Sequence, residues 1–129
     1  MIRAVLLDLL GVIYDADTPI AGAVAAVERL RRAGLPLRFV SNTTRTPRKA
    51  MIEQLAALGI EVTDAELLTP ARAAVEWLRR HECRPHLLVH PDLEAEFSGL
   101  EGGNGCAVVV GDAGDAFDYA GLNRAFREL

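Results

Sequence analysis

The chain has 129 residues, half of them hydrophobic and a quarter charged, with a formal charge of −4. That is enough for one compact domain with a real core and short for a complete two-domain enzyme. The acidic balance leaves no basic face to neutralise a run of phosphates, which argues against a nucleic-acid partner, and no apolar run approaches the roughly 20 residues that a membrane span needs.

Arginine supplies nearly all the positive charge, Lys49 being the single lysine. Cys83 and Cys106 lie too far apart for a redox CxxC pair and, with no third cysteine, make no structural zinc set. The N-terminus, MIRAVLLDLL, carries one basic residue and no small-residue cleavage site. It reads as a first strand, and the protein as cytoplasmic.

The apolar run from Ala4 to Asp15, AVLLDLLGVIYD, delivers one carboxylate, Asp8, and breaks at Gly11. Such a run predicts a strand buried on both faces at the centre of a parallel sheet, with Asp8 near its C-terminal end. A polar turn at 15–19 leads to a helix over 21–32 with Val24, Val27 and Leu30 on one face, stopped by Gly34. A second strand over 35–40 ends in Ser41-Asn42-Thr43-Thr44. Strand, helix and strand in about 40 residues make a βαβ unit, whose strands are parallel and whose C-terminal ends share one sheet edge.

Further along, a helix over 47–58 turns Met51, Leu55 and Leu58 inward and stops at Gly59, and 60–62 reads as a short strand or a loop. Thr69 caps a helix that starts at Pro70 and buries Ala71, Ala74, Val75 and Leu78. Then come a strand over 85–89, a short helix over 92–97, a glycine-rich turn over 99–105, a buried strand over 107–110 and a helix over 119–129. The spacing of His81, His86 and His90 matches no metal-binding motif.

A strand-end Asp beside a strand-end Ser is an arrangement suited to phosphoryl transfer. The carboxylate attacks phosphorus, hydroxyl and amide groups hold the phosphoryl oxygens, and a divalent cation neutralises charge on both partners. A strand-terminal Asp also serves as a turn residue, and Ser41 to Thr44 also reads as a helix N-cap cluster, so neither stretch decides alone.

Together the two stretches resemble the haloacid dehalogenase (HAD)-like hydrolase superfamily. The likeness is to its p-nitrophenyl phosphatase and phospholysine phosphohistidine inorganic pyrophosphate phosphatase-like branch. The first motif of that branch, Asp-x-Asp-Gly-Val-hydrophobic-Tyr/Trp, is similar to Asp8-Leu9-Leu10-Gly11-Val12-Ile13-Tyr14, and its following Pro-x-x-Gly-Ala to Pro19-Ile20-Ala21-Gly22-Ala23. The second motif is similar to Phe39-Val40-Ser41-Asn42-Thr43. Residues 107–129 resemble the VVVG strand and the Tyr-x-x-Leu-Asn-x-Ala-Phe helix of the family's α/β cap.

The resemblance implies an α/β fold, with residues 1–80 the N-terminal part of a Rossmann-like parallel-sheet core and 81–129 the first part of a cap. It implies Asp8 as nucleophile, Ser41, Asn42 and Thr43 as phosphate-binding residues, and Mg²⁺ held by Asp8 and the backbone carbonyl of Leu10. The substrate would be a small phosphorylated molecule. The second acid of the first motif, which protonates the leaving oxygen, is here Leu10, and the family's later lysine and Asp-pair motifs have no match.

Lys49 reads as a surface residue and Gly111-Asp112-Ala113-Gly114-Asp115 as a turn. The expectation is an N-terminal portion of a phosphatase, with a homodimer or pairing with a C-terminal half covering its exposed apolar surface. The alternative is a non-catalytic module that binds phosphate or a partner. A receiver-type phosphoacceptor domain would need an acidic pair before its Asp and a downstream strand-end lysine, and has neither.

Overall fold

The computed structural model describes residues 1–129 and has the α/β architecture expected. It divides into two compact units, Met1–Asn42 with Arg48–Thr69, and Thr43–Pro47 with Pro70–Leu129. No helix is long and apolar enough to cross a membrane.

The first unit is built on a three-stranded parallel sheet of β1 (Val5–Asp8), β4 (Leu37–Val40) and β5 (Leu67–Leu68), in the order β1-β4-β5. Between β1 and β4 lie a small antiparallel hairpin, β2 (Tyr14–Asp15) with β3 (Thr18–Pro19), and helix α1 (Ala23–Arg32). Helix α2 (Arg48–Ala57) follows β4. The chain enters α1 through Gly22 at φ 83° and leaves through Gly34 at φ 71°, and the last turn carries Arg29, Arg31 and Arg32, the sign that suits a helix C-terminus.

Val27 of α1 and Met51 and Leu55 of α2 pack with Leu37, Phe39 and Leu67 of the sheet and with Leu9 and Ile13. Full burial of each of these larger side chains stabilises the fold by about 1.5–3 kcal/mol.

One expectation needs correction here. The first strand is not buried on both faces: it alternates, and Leu6 is 66% exposed. Its place explains this, since β1 is an edge strand rather than the centre of the sheet, and the core helices pack on the Leu37 and Phe39 face. Of the two readings of 60–62 the loop is the one observed, with Ile60 and Val62 buried from it, and the strand after α2 is Leu67–Leu68. The polar turn expected at 15–19 is present as the reversal of the β2–β3 hairpin, at Ala16, which adopts φ 48°.

The second unit holds a two-stranded parallel sheet, β6 (Cys83–Leu88) with β7 (Gly105–Val110). Helix α3 (Pro70–Arg80) buries Ala71, Val75 and Leu78 together with Leu93 and Phe97 of a 3₁₀ helix, Pro91–Phe97, that takes the place of the short helix expected there. Helix α4 (Tyr119–Arg127) is capped by Asp118, whose Oδ1 accepts the Gly121 amide at 2.6 Å, and it buries Ala125 near Leu88 and Val108. Cys83 pairs in register with Gly105 and Cys106 with Arg84, so the two thiols lie on opposite faces of the sheet.

Candidate active site

Asp8 is the last residue of β1, where an exposed carboxylate meets the turn that follows. Its Oδ1 accepts the amide of Leu9 at 2.8 Å, which fixes one oxygen against the backbone. The Leu9 side chain is 1% exposed and plugs the core beneath. The Leu9 carbonyl accepts the amides of Val12, Ile13 and Tyr14 at 3.2, 2.8 and 3.2 Å, winding the chain into a tight turn.

Gly11, at φ 79°, takes the left-handed conformation this turn requires, and its amide donates to the Tyr14 carbonyl at 2.8 Å. Leu10 and Tyr14 thus sit side by side in a bridge made by the bonds of their neighbours. Neither the amide nor the carbonyl of Leu10 is used in it, and the Leu10 side chain is 60% exposed. The hairpin beyond is tied to α2 by Gln54 Nε2, which donates to the Ala16 carbonyl at 3.3 Å.

The parallel pairing sets Asp8 opposite Val40, so Ser41 follows at the same sheet edge. The Ser41 amide donates to the Leu68 carbonyl at 3.0 Å, and the residue is 9% exposed, whereas Asn42 is exposed. The structure therefore brings Asp8, Ser41 and Asn42 to one edge of the first unit. It assigns Thr43 to the second unit, where Thr43 Oγ1 accepts the Arg45 amide at 3.3 Å.

Other candidates have structural occupations. Lys49 is exposed and pairs with Glu53 at 3.9 Å. Asp112 pairs with Arg45 at 3.4 Å, its amide donates to Thr44 Oγ1 at 3.1 Å and its Oδ1 accepts the Gly114 amide at 3.1 Å, which makes it a turn residue. His81 stacks on Trp77 with ring centroids 4.1 Å apart. His90 Nδ1 accepts the Asp92 amide at 3.3 Å and caps the 3₁₀ helix.

Sequence reasoning passed over Tyr14 as more than a motif match. The ring is buried in the first core, and burial, followed by the negative charge of Asp8, pushes its phenol above the ordinary tyrosine range. The signal available in the sequence was the spacing of an aromatic residue six positions after the acid, across a glycine turn.

Mg²⁺ takes hard oxygen ligands in an octahedron and keeps several waters, so few protein donors suffice. The second oxygen of Asp8 and the Leu10 carbonyl are such donors, both outside the local hydrogen-bond network. Both suit this ion by chemistry, and the chain holds no group of three or more His, Cys, Asp or Glu that would form a metal site from side chains alone.

The family model for haloacid dehalogenase-like hydrolases matches residues 5–116. The chain belongs to this family. It is 41% identical over 132 residues to phospholysine phosphohistidine inorganic pyrophosphate phosphatase of Danio rerio, and 40% identical to that of Homo sapiens, matching 99% of this HAD-like chain and 49% of each relative.

Among solved structures it is similar to NagD from E. coli K-12, with TM-score 0.78 and 21% identity over 96% of this chain and 51% of that one. It is also similar to a p-nitrophenyl phosphatase from Archaeoglobus fulgidus, with TM-score 0.78 and 23% identity over 98% and 51%. These likenesses are of fold. The HAD-like chain spans about half the length of the curated relatives it matches, 49% in each case.

Proposed function

We propose that this chain is the N-terminal portion of a cytoplasmic, Mg²⁺-dependent phosphatase that hydrolyses a small phosphorylated molecule through an aspartyl phosphate on Asp8. The observation that carries the reading is the register of Asp8 against Val40, which sets the carboxylate and Ser41 at one edge of a parallel sheet. That edge is where open α/β sheets bind ligands.

In this reading one carboxylate oxygen of Asp8 attacks phosphorus while the other faces the cation, and Ser41 and Asn42 bind the phosphoryl oxygens. Thr43 joins them from its place in the motif alone. Mg²⁺ on Asp8 and the Leu10 carbonyl supplies charge neutralisation. Residues 1–80 belong to the core and 81–129 to the first part of a cap in the same proposal.

The curated relatives are named for phospholysine, phosphohistidine and inorganic pyrophosphate. Of these, inorganic pyrophosphate releases phosphate, a better leaving group than an alkoxide, and such a substrate suits a site with leucine at position 10, since it needs less help from a proton donor. Exposed apolar side chains at Ile2, Leu6, Tyr119 and Phe126 support a homodimer or pairing with a C-terminal half like that of the relatives.

The test is hydrolysis of p-nitrophenyl phosphate with and without Mg²⁺, beside Asp8→Asn. Metal-dependent turnover lost in Asp8→Asn is the expected result. Turnover equal in both proteins, or absent from both, overturns the enzyme reading for this chain and leaves a module that binds phosphate or a partner.

A further inference from the structure

Strand β7 has a neighbour on one side only, β6. The Gly111 amide donates to the Leu88 carbonyl at 2.9 Å, and parallel pairing alternates along a strand, so the amides and carbonyls of Cys106, Val108 and Val110 point away from β6. Proteins blunt such edges with lysine, proline or a bulge. The run Gly105 to Val110, GCAVVV, has no charge and no proline and pairs with β6 in unbroken register. Along its edge lies an apolar groove of about 300 Å³ between Ala74, Trp77 and Leu78 of α3 and Ala107 to Val109 of β7, and Trp77 is 49% exposed.

A parallel strand following α4 does not cover this edge. Crossovers between parallel strands are right-handed. The step from β6 to β7 crosses on the face where Leu93 and Phe97 meet Leu87, Ala107 and Val109, whereas α4 lies on the opposite face, with Ala125 near Leu88 and Val108. Changing face reverses the direction of the step, so a parallel strand after α4 is set down beyond β6. That leaves the outer edge of β7 open to a second molecule.

We infer that two copies of this chain pair antiparallel along β7, joining their two-stranded sheets into one of four strands. The edge is self-complementary about Val108. With a two-fold axis there, Val108 faces Val108 of the second copy and Cys106 faces its Val110, and all these residues turn amide and carbonyl outward, as hydrogen-bonded antiparallel pairs require. The side chains brought together are valine, alanine and a thiol, so the pairing buries no charge. The inference takes up the homodimer of the proposed reading and rests on no part of the Asp8 chemistry, which turnover tests separately.

The first measurement is sedimentation over a concentration series for the parent and Val110→Lys. Val110 is 56% exposed, so lysine there leaves the core intact and puts a charge on the edge. The parent is expected to dimerise, and Val110→Lys to weaken the dimer by about tenfold or more. A monomeric parent, or a dimer that Val110→Lys leaves unchanged, overturns the inference. The second measurement tests the register with Val110→Cys in a Cys83→Ser background. Hydrogen-bonded antiparallel partners have Cα atoms about 5.5 Å apart, within the span of a disulfide, whereas the two copies of position 110 would lie about 14 Å apart. Mild oxidation is expected to give a covalent dimer that is lost when Cys106→Ser is added. No covalent dimer, or one that survives Cys106→Ser, overturns the inference.

Discussion

Asp8 and Val40 are register partners at the ends of the parallel strands β1 and β4, and the chain leaves both strands at the same edge. What holds Asp8 there is less the strand than the residue after it. Leu9 is nearly fully buried, donates its amide to Asp8 and accepts three amides on its carbonyl, so it serves as the peg on which the turn is wound.

Leu9→Ala removes that peg without touching any proposed reacting atom. Large-to-small substitutions at such sites cost about 2–5 kcal/mol, with the spread set by how far the cavity collapses. Urea unfolding is expected to show a loss in this range. A loss below about 1 kcal/mol would mean that the turn is held by its backbone bonds alone.

Gly11 and Gly103 make a paired prediction because alanine meets a different obstacle at each. At Gly11 nothing lies within 4 Å of an added Cβ, but φ is +79°, so Gly11→Ala costs only backbone strain, about 1–2 kcal/mol. At Gly103 an added Cβ would lie 2.6 Å from the Glu82 carbonyl oxygen and 2.8 Å from the Arg84 amide nitrogen. Both are backbone atoms, so β6 must shift, and overpacking of this kind costs about 1–3 kcal/mol or more. Denaturation of the two variants, with circular dichroism to detect a shifted strand in Gly103→Ala only, checks the distinction.

Where elements were legible in the sequence, local rules decided them. Asp8 ends a strand because an apolar run gives way to a glycine turn, α1 stops where Gly34 permits a left-handed residue, and Pro70 opens α3 because a first helical residue needs no amide. What the sequence hid depends on partners far along the chain. Leu6 reads as core but lies on an edge strand with no helix over it, and Leu67–Leu68 is a strand only because Phe39 and Val40 pair with it.

The turn between Tyr14 and Pro19 was legible from Asp15, Asp17 and Pro19, but its reversal through Ala16, an alanine in a conformation that favours glycine, was not. The site divides in the same way. That Asp8, Ser41 and Asn42 share one edge was legible from the strand ends, whereas the relation of Tyr14 to Asp8 arises from the fold of the turn between them.

Glu128 gives a pH-dependent prediction. Cys106 Sγ donates to Glu128 Oε2 at 3.3 Å and Arg84 donates to the same oxygen at 2.9 Å, and these bonds hold the Glu128 carboxyl below its usual range. A carboxyl with a depressed folded-state pKa contributes stability above its unfolded value, about 4.3, and loses it as pH falls through the folded value. Parent and Glu128→Gln should therefore differ most in Tm near neutral pH and converge in acid below that unfolded value. A difference that stays constant through the acid range would assign the effect of the substitution to packing.

Leu10→Asp tests the proposed site by supplying the acid that the family motif carries there. Leu10 is 60% exposed and neither its amide nor its carbonyl joins the bridge to Tyr14, so a carboxylate at this position buries no charge and breaks no turn bond. It adds an acid two residues after Asp8, where the family motif carries its proton donor. On phenyl phosphate the substitution is expected to raise turnover by about tenfold or more, with a smaller gain on p-nitrophenyl phosphate, since the worth of a donor grows as the leaving group worsens. Equal gains on the two esters, or no gain on either, would show that an acid at position 10 does not reach the leaving group in this chain.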